Sequence, residues 1–395
     1  MHIIYHNVFF NNMIHNISQT LIGATQRTFR GFLVWVLSTV LLSNIGSVLQ
    51  AATLLTQNVF LLTTDGLRWQ EVFGGAEAGL MTKEAGGVKD TNALAKDFWR
   101  NSAEARRAAL LPFIWSKVAK EGQIWGHHAK GSVVQVTNGR NFSYPGYSEF
   151  LTGIADPRIE SNDRKPNPNA NVFQWLQTQK QFAGKVGASV SWGVIPWILN
   201  SDLAGFPVWS AFDVPEGTKK FNLSPVAQSL LDRTTMVWSD VSMDSFAGLA
   251  TQEMVLQLHP RAFYTALGET DDWAHDSRYD LYLRSAHNFD RFVRELWEMV
   301  QSMPQYRNRT TFILSTDHGR GPAPVAWKSH GQAIPESGSI WVAILGPDTA
   351  ALGERENTVK ITQSQIAATV AAFLGEDFTA ASPKSAKPIP GVVGR

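Results

Sequence analysis

The stretch Thr310-Thr311-Phe312-Ile313-Leu314-Ser315-Thr316-Asp317-His318-Gly319-Arg320-Gly321 decides the reading of this chain. Its first seven residues form a continuous apolar and β-branched run, as expected of a strand covered on both faces. Two strong metal ligands follow at once, and glycines flank the next position. In an open α/β sheet, ligands collect beyond the carboxyl ends of the strands. Asp317 and His318 therefore stand where chemistry is expected, and Gly319 is the residue expected to let the loop aim both side chains inward.

The same pattern recurs along the chain. Asn58 to Thr64 forms a strand that ends in Asp65-Gly66. Ser132 to Val136 reads as a second strand, Lys185 to Val190 as a third and Arg261 to Leu267 as a fourth. The run before Asp317 is the fifth, and Ser339 to Leu345 the sixth. Helical periods lie between them. Tyr282, Ala286, Phe289, Val293, Leu296 and Val300 make one apolar stripe. A later helix opens with the capping-box pattern Thr362-x-x-Gln365, carries Ile366, Val370 and Phe373 on one face, and stops at Gly375. Strands alternating with helices predict an α/β fold: a mostly parallel sheet with helices on both faces.

Composition narrows the chemistry. The 395 residues are 44% hydrophobic and 17% charged, with a net charge of +1, so no general attraction to nucleic acid or acidic membranes is expected. There is no cysteine, which excludes disulfides, thiolate metal sites and a cysteine nucleophile. Any metal must be held by His, Asp and Glu. Arg27 and Arg30 precede the apolar run Gly31 to Leu42, and small residues follow to Ala51-Ala52. Residues 1–51 thus read as an export signal cleaved after Ala51, or as an uncleaved anchor, with Met13 as an alternative start. Residues 52–395 read as one catalytic domain. The stretch from 191 to 245, rich in Trp, Pro and Ser, reads as an insertion or cap near the site. Its Trp192, Trp197 and Trp209 are candidates to stack on a base or sugar, or to be core. The stretch 161–169 reads as a loop. Nothing in the sequence sets the oligomeric state, and no segment beyond the N-terminal one is apolar enough to span a bilayer.

Three aspartates and three histidines sit at strand ends. Asp65 follows the first strand, Asp271 and His275 follow the fourth, Asp317 and His318 follow the fifth, and His330 precedes the sixth. Two three-ligand sites with open positions can be built from them, as catalytic metal sites require. A nucleophile is available in Asn141-Phe142-Ser143-Tyr144-Pro145-Gly146-Tyr147-Ser148, where a helix starts near Pro145. A serine at a helix N-terminus beside a metal can attack phosphorus, and the same segment reads equally as a simple N-cap. Ser148 is the next candidate. His127, His128, Asp272, Asp276 and His287 are further polar residues for which structural roles are preferred.

These segments resemble the alkaline phosphatase superfamily, especially its nucleotide pyrophosphatase/phosphodiesterase-like branch. That branch carries Thr-Phe-Pro-Asn-His before a helix ending in Thr-Gly, similar to Ser143-Tyr144-Pro145-Gly146-Tyr147 with Thr152-Gly153. Asp65-Gly66, Asp271-x-x-x-His275, Asp317-His318-Gly319 and His330 match its ligand motifs in order, with Ala274 where the branch has Gly. The resemblance implies that Asp271, His275 and His330 hold one metal, and that Asp65, Asp317 and His318 hold the other beside Ser143. It implies an exported two-metal hydrolase of phosphate monoesters or diesters acting through a phosphoseryl intermediate. The ions would be zinc, with manganese as the alternative, since all-N/O sites with three histidines suit zinc. Asn162 takes the place of the family's phosphate-contacting Asn, and Arg140, Asn141 and Lys328 are alternative phosphate contacts. Two other readings stand beside this one. A sulfatase would share Ser143-x-Pro145, but Tyr147 replaces the Arg of that motif. An exported binding protein on a decayed phosphatase scaffold would bind no metal.

Overall fold

A computed structural model describes residues 54–394. The N-terminal segment read as an export signal or anchor lies outside the described residues. Among the described residues no helix is long and apolar enough to cross a membrane.

Eight strands form the main sheet, numbered in chain order with the three of a smaller sheet: β1 (Asn58–Thr64), β2 (Gln123–Trp125), β3 (Val134–Gln135), β4 (Val186–Val190), β5 (Val208–Ser210), β6 (Ala262–Leu267), β7 (Thr310–Ser315), β8 (Ser339–Ile340), β9 (Val342–Leu345), β10 (Gly353–Glu354) and β11 (Ile361–Thr362). The main sheet runs β10-β2-β9-β7-β1-β6-β4-β5. Strands β7, β1, β6, β4 and β5 are parallel, while β9 runs antiparallel to both β7 and β2. The expected α/β architecture, mostly parallel with helices on both faces, is the one observed.

Side-chain alternation explains the two faces. Phe60 and Leu62 point into one core, which also takes Phe312, Leu314 and Phe263 from the neighbouring strands. Val59 and Leu61 point into the other, with Ile313, Tyr264 and Ala266. The first core is covered by the helices Asp244–Leu258 and Tyr279–Ser302. The stripe Tyr282, Ala286, Phe289, Val293, Leu296 and Val300 is buried there in full. At about 1.5–3 kcal/mol for each large side chain buried, such a stripe is a substantial part of what holds the helix to the sheet. The second core is covered by the helices Ser143–Thr152, Val172–Thr178 and Gln365–Phe373.

Two expected strands are placed differently. Ser132 to Val136 contributes only β3, which pairs with β8 and β11 in a separate three-stranded sheet. The run Ser339 to Leu345 is not one strand. It changes partners at Trp341, pairing with β3 before it and with β7 and β2 after it. Trp341 is fully buried, donates its indole N–H to the Leu67 carbonyl at 3.1 Å and accepts from the Ser315 hydroxyl at 2.9 Å. That anchor fixes the hand-over between sheets. The capping box at Thr362 forms by half: Gln365 accepts from the Thr362 N–H at 2.9 Å, but the Thr362 hydroxyl pairs with Ser364, which is the actual N-cap.

The stretch 191–245 is tied into the main sheet. It supplies β5 to the edge of the main sheet, and Trp209 lies 3% exposed in the core, which removes it as a stacking surface.

Candidate active site and metal centre

The register of the parallel strands brings the site together. Thr64 of β1 is level with Leu267 of β6, and Thr63 is level with Ser315 of β7. Their carboxyl ends are therefore neighbours, and the residues that follow share one small volume. Asp65 follows β1 directly. Asp317 and His318 follow β7 by two and three residues. Asp271 and His275 ride on the helix Glu269–His275, which starts just after β6 and places them one turn apart on one face. All six residues singled out by the sequence converge here.

Asp65, Asp317 and His318 form one group whose ligand atoms lie within 4.8 Å of each other. Each of these side chains is held by one atom and turns another into the site. The Asp317 Oδ1 accepts from the Gly66 N–H at 3.1 Å, and the Asp65 Oδ2 accepts from the Tyr147 hydroxyl at 2.9 Å. Asp65 Oδ1 and Asp317 Oδ2 are buried and carry no hydrogen bond, each 3.3 Å from His318 Nε2. His318 Nδ1 is bonded to the Gly319 carbonyl at 2.8 Å, which makes Nδ1 the protonated nitrogen and turns the Nε2 lone pair inward. Orphaned buried oxygens facing an imidazole lone pair are the donor set a divalent cation satisfies.

Asp271, His318 and His330 form a second such group. His275 joins it, with its Nε2 3.1 Å from Asp271 Oδ2 and 2.9 Å from His330 Nε2. The His330 ring stacks on His318 with centroids 3.8 Å apart and is oriented by the Asn141 carbonyl, 3.2 Å from its Nδ1. Three like-charged carboxylates so close together disturb one another. Burial and the Asp271 charge push Asp65 well above the usual carboxylate range, and burial with the Asp65 charge does the same to Asp317. Burial acts against ionisation of Asp271 too, but Arg320 with His330 and His275 outweighs it and holds that carboxyl well below its ordinary value. Burial, followed by the charges of Asp271 and Asp65, pushes Asp272 up to about 8. Burial and the neighbouring His318 hold His330 well below the usual imidazole range. An acid cluster of this kind is the environment a cation relieves.

Ser143 opens its helix at the floor of the site. Its Oγ lies 3.3 Å from His318 Nε2, and the residue is 6% exposed. The loop before it is clamped to the helix by the buried Glu149, which accepts from the Thr137 N–H and hydroxyl and from the Asn138 N–H and amide. Gly146 follows from close approach: a Cβ there would meet the Asp317 carbonyl oxygen at 2.4 Å. Gly319 acts in the same way. Its backbone is not left-handed, and it is small because a Cβ would meet the Ser339 carbonyl oxygen at 2.3 Å, so contact with β8 rather than freedom to turn explains it.

A cavity of about 350 Å³ opens over these groups, lined by Asp65, Ser143, Asn162, Trp192, Val241, Gly268, Asp271, Asp272, His275 and His330. Asn162 accepts from the Tyr144 N–H at 2.9 Å through Oδ1, which leaves its amide donor at the cavity wall. The other expected phosphate contacts lie outside the cavity lining, and of their side chains only that of Arg140 is paired in the bonds that follow. Arg140 reaches Gln332 and Glu160, Asn141 supplies its carbonyl to His330, and Lys328 gives its carbonyl to Arg320. None of the three lines the cavity. His127 pairs with Glu354, His287 with the Leu110 carbonyl and Asp276 with Trp238, all as structural contacts. Ser148 is bonded to Asn167 at 3.0 Å and is 1% exposed, away from the ligands.

Two residues escaped the sequence reading. Tyr147 holds Asp65, and burial with the Asp65 charge keeps its phenol protonated as a donor. Arg320 is 1% exposed, donates to the Trp327 carbonyl at 2.8 Å and pairs with Asp271. The only sequence signal for Arg320 is a charge set between two glycines directly after a ligand pair.

Comparison with known proteins agrees at the level of fold. No family model matches the chain, and no curated protein matches it. Among solved structures, the alkaline phosphatase PafA superposes with a TM-score of 0.51 at 12% identity, covering 86% of this chain and 99% of that one. The chain has the fold of the alkaline phosphatase superfamily. The lipoteichoic acid synthase LtaP from Listeria monocytogenes gives 0.51 at 9% identity over 82% and 73% of the two chains. Murine ectonucleotide pyrophosphatase/phosphodiesterase 5 gives 0.47 at 12% over 81% and 95%. The sheet that carries Asp65, Asp271 and Asp317 at its strand ends is thus the alkaline-phosphatase-like sheet expected from the motifs.

Proposed function

We propose that this chain is an exported hydrolase of phosphate esters that uses two divalent metal ions, zinc by the N/O donor set, and that its better substrates are phosphodiesters. The observation that carries the reading is the convergence of six ligand side chains, two with orphaned buried oxygens, on the hydroxyl of Ser143. Asp65, Asp317 and His318 would hold one ion, and Asp271, His275 and His330 the other. Bound there, the two ions would supply Lewis-acid stabilisation of the attacking and leaving oxygens.

The residues of the chain do the rest. Ser143 attacks phosphorus, forming a phosphoseryl ester as the leaving alcohol departs; water then cleaves that ester and regenerates the serine. The Ser143 hydroxyl, 3.3 Å from His318 Nε2, stands beside the group that would hold an ion, and a cation bound there would lower the hydroxyl's pKa and favour its deprotonated form. Asn162 offers an amide donor to a phosphoryl oxygen. Preference for diesters rests on the cavity wall. Among the lining residues there is no Lys or Arg to meet a second negative charge. A monoester dianion would meet more repulsion there than a diester monoanion. Trp192 and Val241 present apolar surface to the second substituent. Tyr147, in the position of the sulfatase motif's Arg, is bonded to Asp65 and is not free to meet a sulfate.

The test is a substrate panel of p-nitrophenyl phosphate, bis-p-nitrophenyl phosphate and p-nitrophenyl sulfate, each with Zn²⁺ and with Mn²⁺. The diester is expected to have the highest kcat/KM and the sulfate the lowest. A sulfate optimum would overturn the assignment. No turnover together with no bound metal would favour the binding protein.

A further inference from the structure

The two halves of the ligand cluster are built on different terms. The first, Asp65, Asp317 and His318, places two carboxylates and one imidazole at 4%, 0% and 0% exposure, and among the described residues no cation of the chain pairs with Asp65 or Asp317 other than His318. The second, Asp271, His275 and His330, has one carboxylate, and Arg320 is paired with it. The first half therefore offers two carboxyl groups to an incoming cation, with no guanidinium paired to either. The second offers one, and a fixed guanidinium is paired with it.

Rigidity differs in the same direction. Asp65 is held by Tyr147, Asp317 by the Gly66 N–H, and His318 by the Gly319 carbonyl. In the second half, His330 is oriented by Asn141, but the His275 side chain is 44% exposed and among the described residues its Nδ1 has no hydrogen-bond partner. Partners that orient ligands typically change metal affinity about 10- to 100-fold. Charge acts more strongly in a buried site than at the surface. Both effects favour the first half.

Arg320 is placed to enforce this difference. Its Nε is bonded to the Trp327 carbonyl and another of its nitrogens to the Lys328 carbonyl, so the guanidinium cannot swing away from Asp271. It does not line the substrate cavity. It is therefore a positioning and charge-setting residue, not a substrate contact. We propose that Arg320 makes the Asp271–His275–His330 half a deliberately weak metal site, so that the enzyme holds one ion permanently and takes up the second only when external divalent metal is abundant. Activity would then report metal supply. This rests on the two-metal reading proposed above.

The experiment is a zinc titration of the full-length, metal-stripped protein in a chelator-buffered series, with bound metal counted by elemental mass spectrometry. For the unaltered protein, the second equivalent is expected to bind only at free zinc at least about 100-fold above that needed for the first. Arg320→Gln is expected to tighten the second equivalent at least about 10-fold and leave the first in place, while Arg320→Lys, which keeps the charge, is expected to behave as the parent. Two equivalents of equal affinity in the parent would overturn the proposal, as would a second site weakened by Arg320→Gln. If Arg320→Gln does not fold, Asp317→Asn and Asp271→Asn serve instead: the first is expected to remove the tight class and spare the weak one, the second to do the reverse, and the opposite pattern would overturn the proposal. A parent that binds no zinc would fail the two-metal reading itself, whereas two sites without the expected ranking would leave that reading standing and remove only this inference.

Discussion

The strand ends of β1, β6 and β7 and the stretch 191–245 face one another across the same cavity, yet they were built under different constraints. The first region takes its geometry from the sheet. Parallel register sets Thr64 beside Leu267 and Thr63 beside Ser315, so the ligands that follow have little freedom. The second region reaches the cavity only through Trp192 and Val241, which are linked by an isolated antiparallel bridge. It is tied down by local contacts: the Gly193 N–H to the Asp240 carbonyl at 2.9 Å, and the Arg164–Asp240 ion pair that joins it to the loop carrying Asn162. On the proposed reading, the sheet side would hold the groups that act on any phosphate ester, and the insertion side the surface that meets a particular one. Changes on the first side should alter kcat and metal content, and changes on the second should alter KM.

The largest effect belongs to Ser143. Ser143→Ala should lower kcat by on the order of 10³-fold or more while bound metal stays at the parent level. A kcat within about tenfold of the parent would break the division at its centre. Asp317→Asn comes next, because it removes a ligand whose Oδ2 is otherwise unpartnered. Elemental analysis should show metal lost from that half of the centre, with affinity down at least about 10-fold. Unchanged metal content would mean that Asp317 is structural.

Trp192→Ala tests the other side. Loss of an aromatic contact of about 0.5–1.5 kcal/mol should raise KM for aryl diesters by about 2- to 10-fold with a small change in kcat. A large fall in kcat with KM unchanged would move Trp192 to the chemical side of the comparison.

The smallest effect is on stability and pH. Asp272 titrates near 8 in the folded, metal-free protein, above its ordinary value of 3.8. A raised carboxyl favours the folded state fully below that ordinary value and loses this contribution as pH climbs towards 8. Asp272→Asn should therefore raise the Tm of the metal-free protein at pH 9 and leave it little changed at pH 4. Equal shifts at both pH values would point to packing instead of charge.

Legibility in the sequence followed the same line. Strands β1, β6 and β7 and the helix Tyr279–Ser302 could be read because each is a long run buried on a regular period. Asp65, Asp271, His275, Asp317, His318 and His330 could be read because they lie at the ends of those runs. β2, β5 and β10 could not, being two or three residues long and defined only by their partners. The break at Trp341 was hidden for a related reason: Ile340 and Val342 keep their alternation while the sheet they belong to changes. Arg320 was hidden because a charge in a glycine-rich loop normally reads as solvated, and only the fold shows that it faces Asp271. Arg140 shows the opposite case, a cation near the nucleophile in sequence that the fold turns to Gln332 and Glu160.

The central claim is that Ser143 is the atom that attacks phosphorus. It is tested most directly by acid-quenching the zinc-loaded protein during turnover of bis-p-nitrophenyl phosphate and measuring the mass of the peptide that contains Ser143. The expected result is a p-nitrophenyl phosphoryl adduct on Ser143, one p-nitrophenol having left and the other remaining on phosphorus, that is absent from Ser143→Ala. An adduct on another residue, Ser148 included, or an unmodified peptide alongside an active Ser143→Ala protein, would contradict the account.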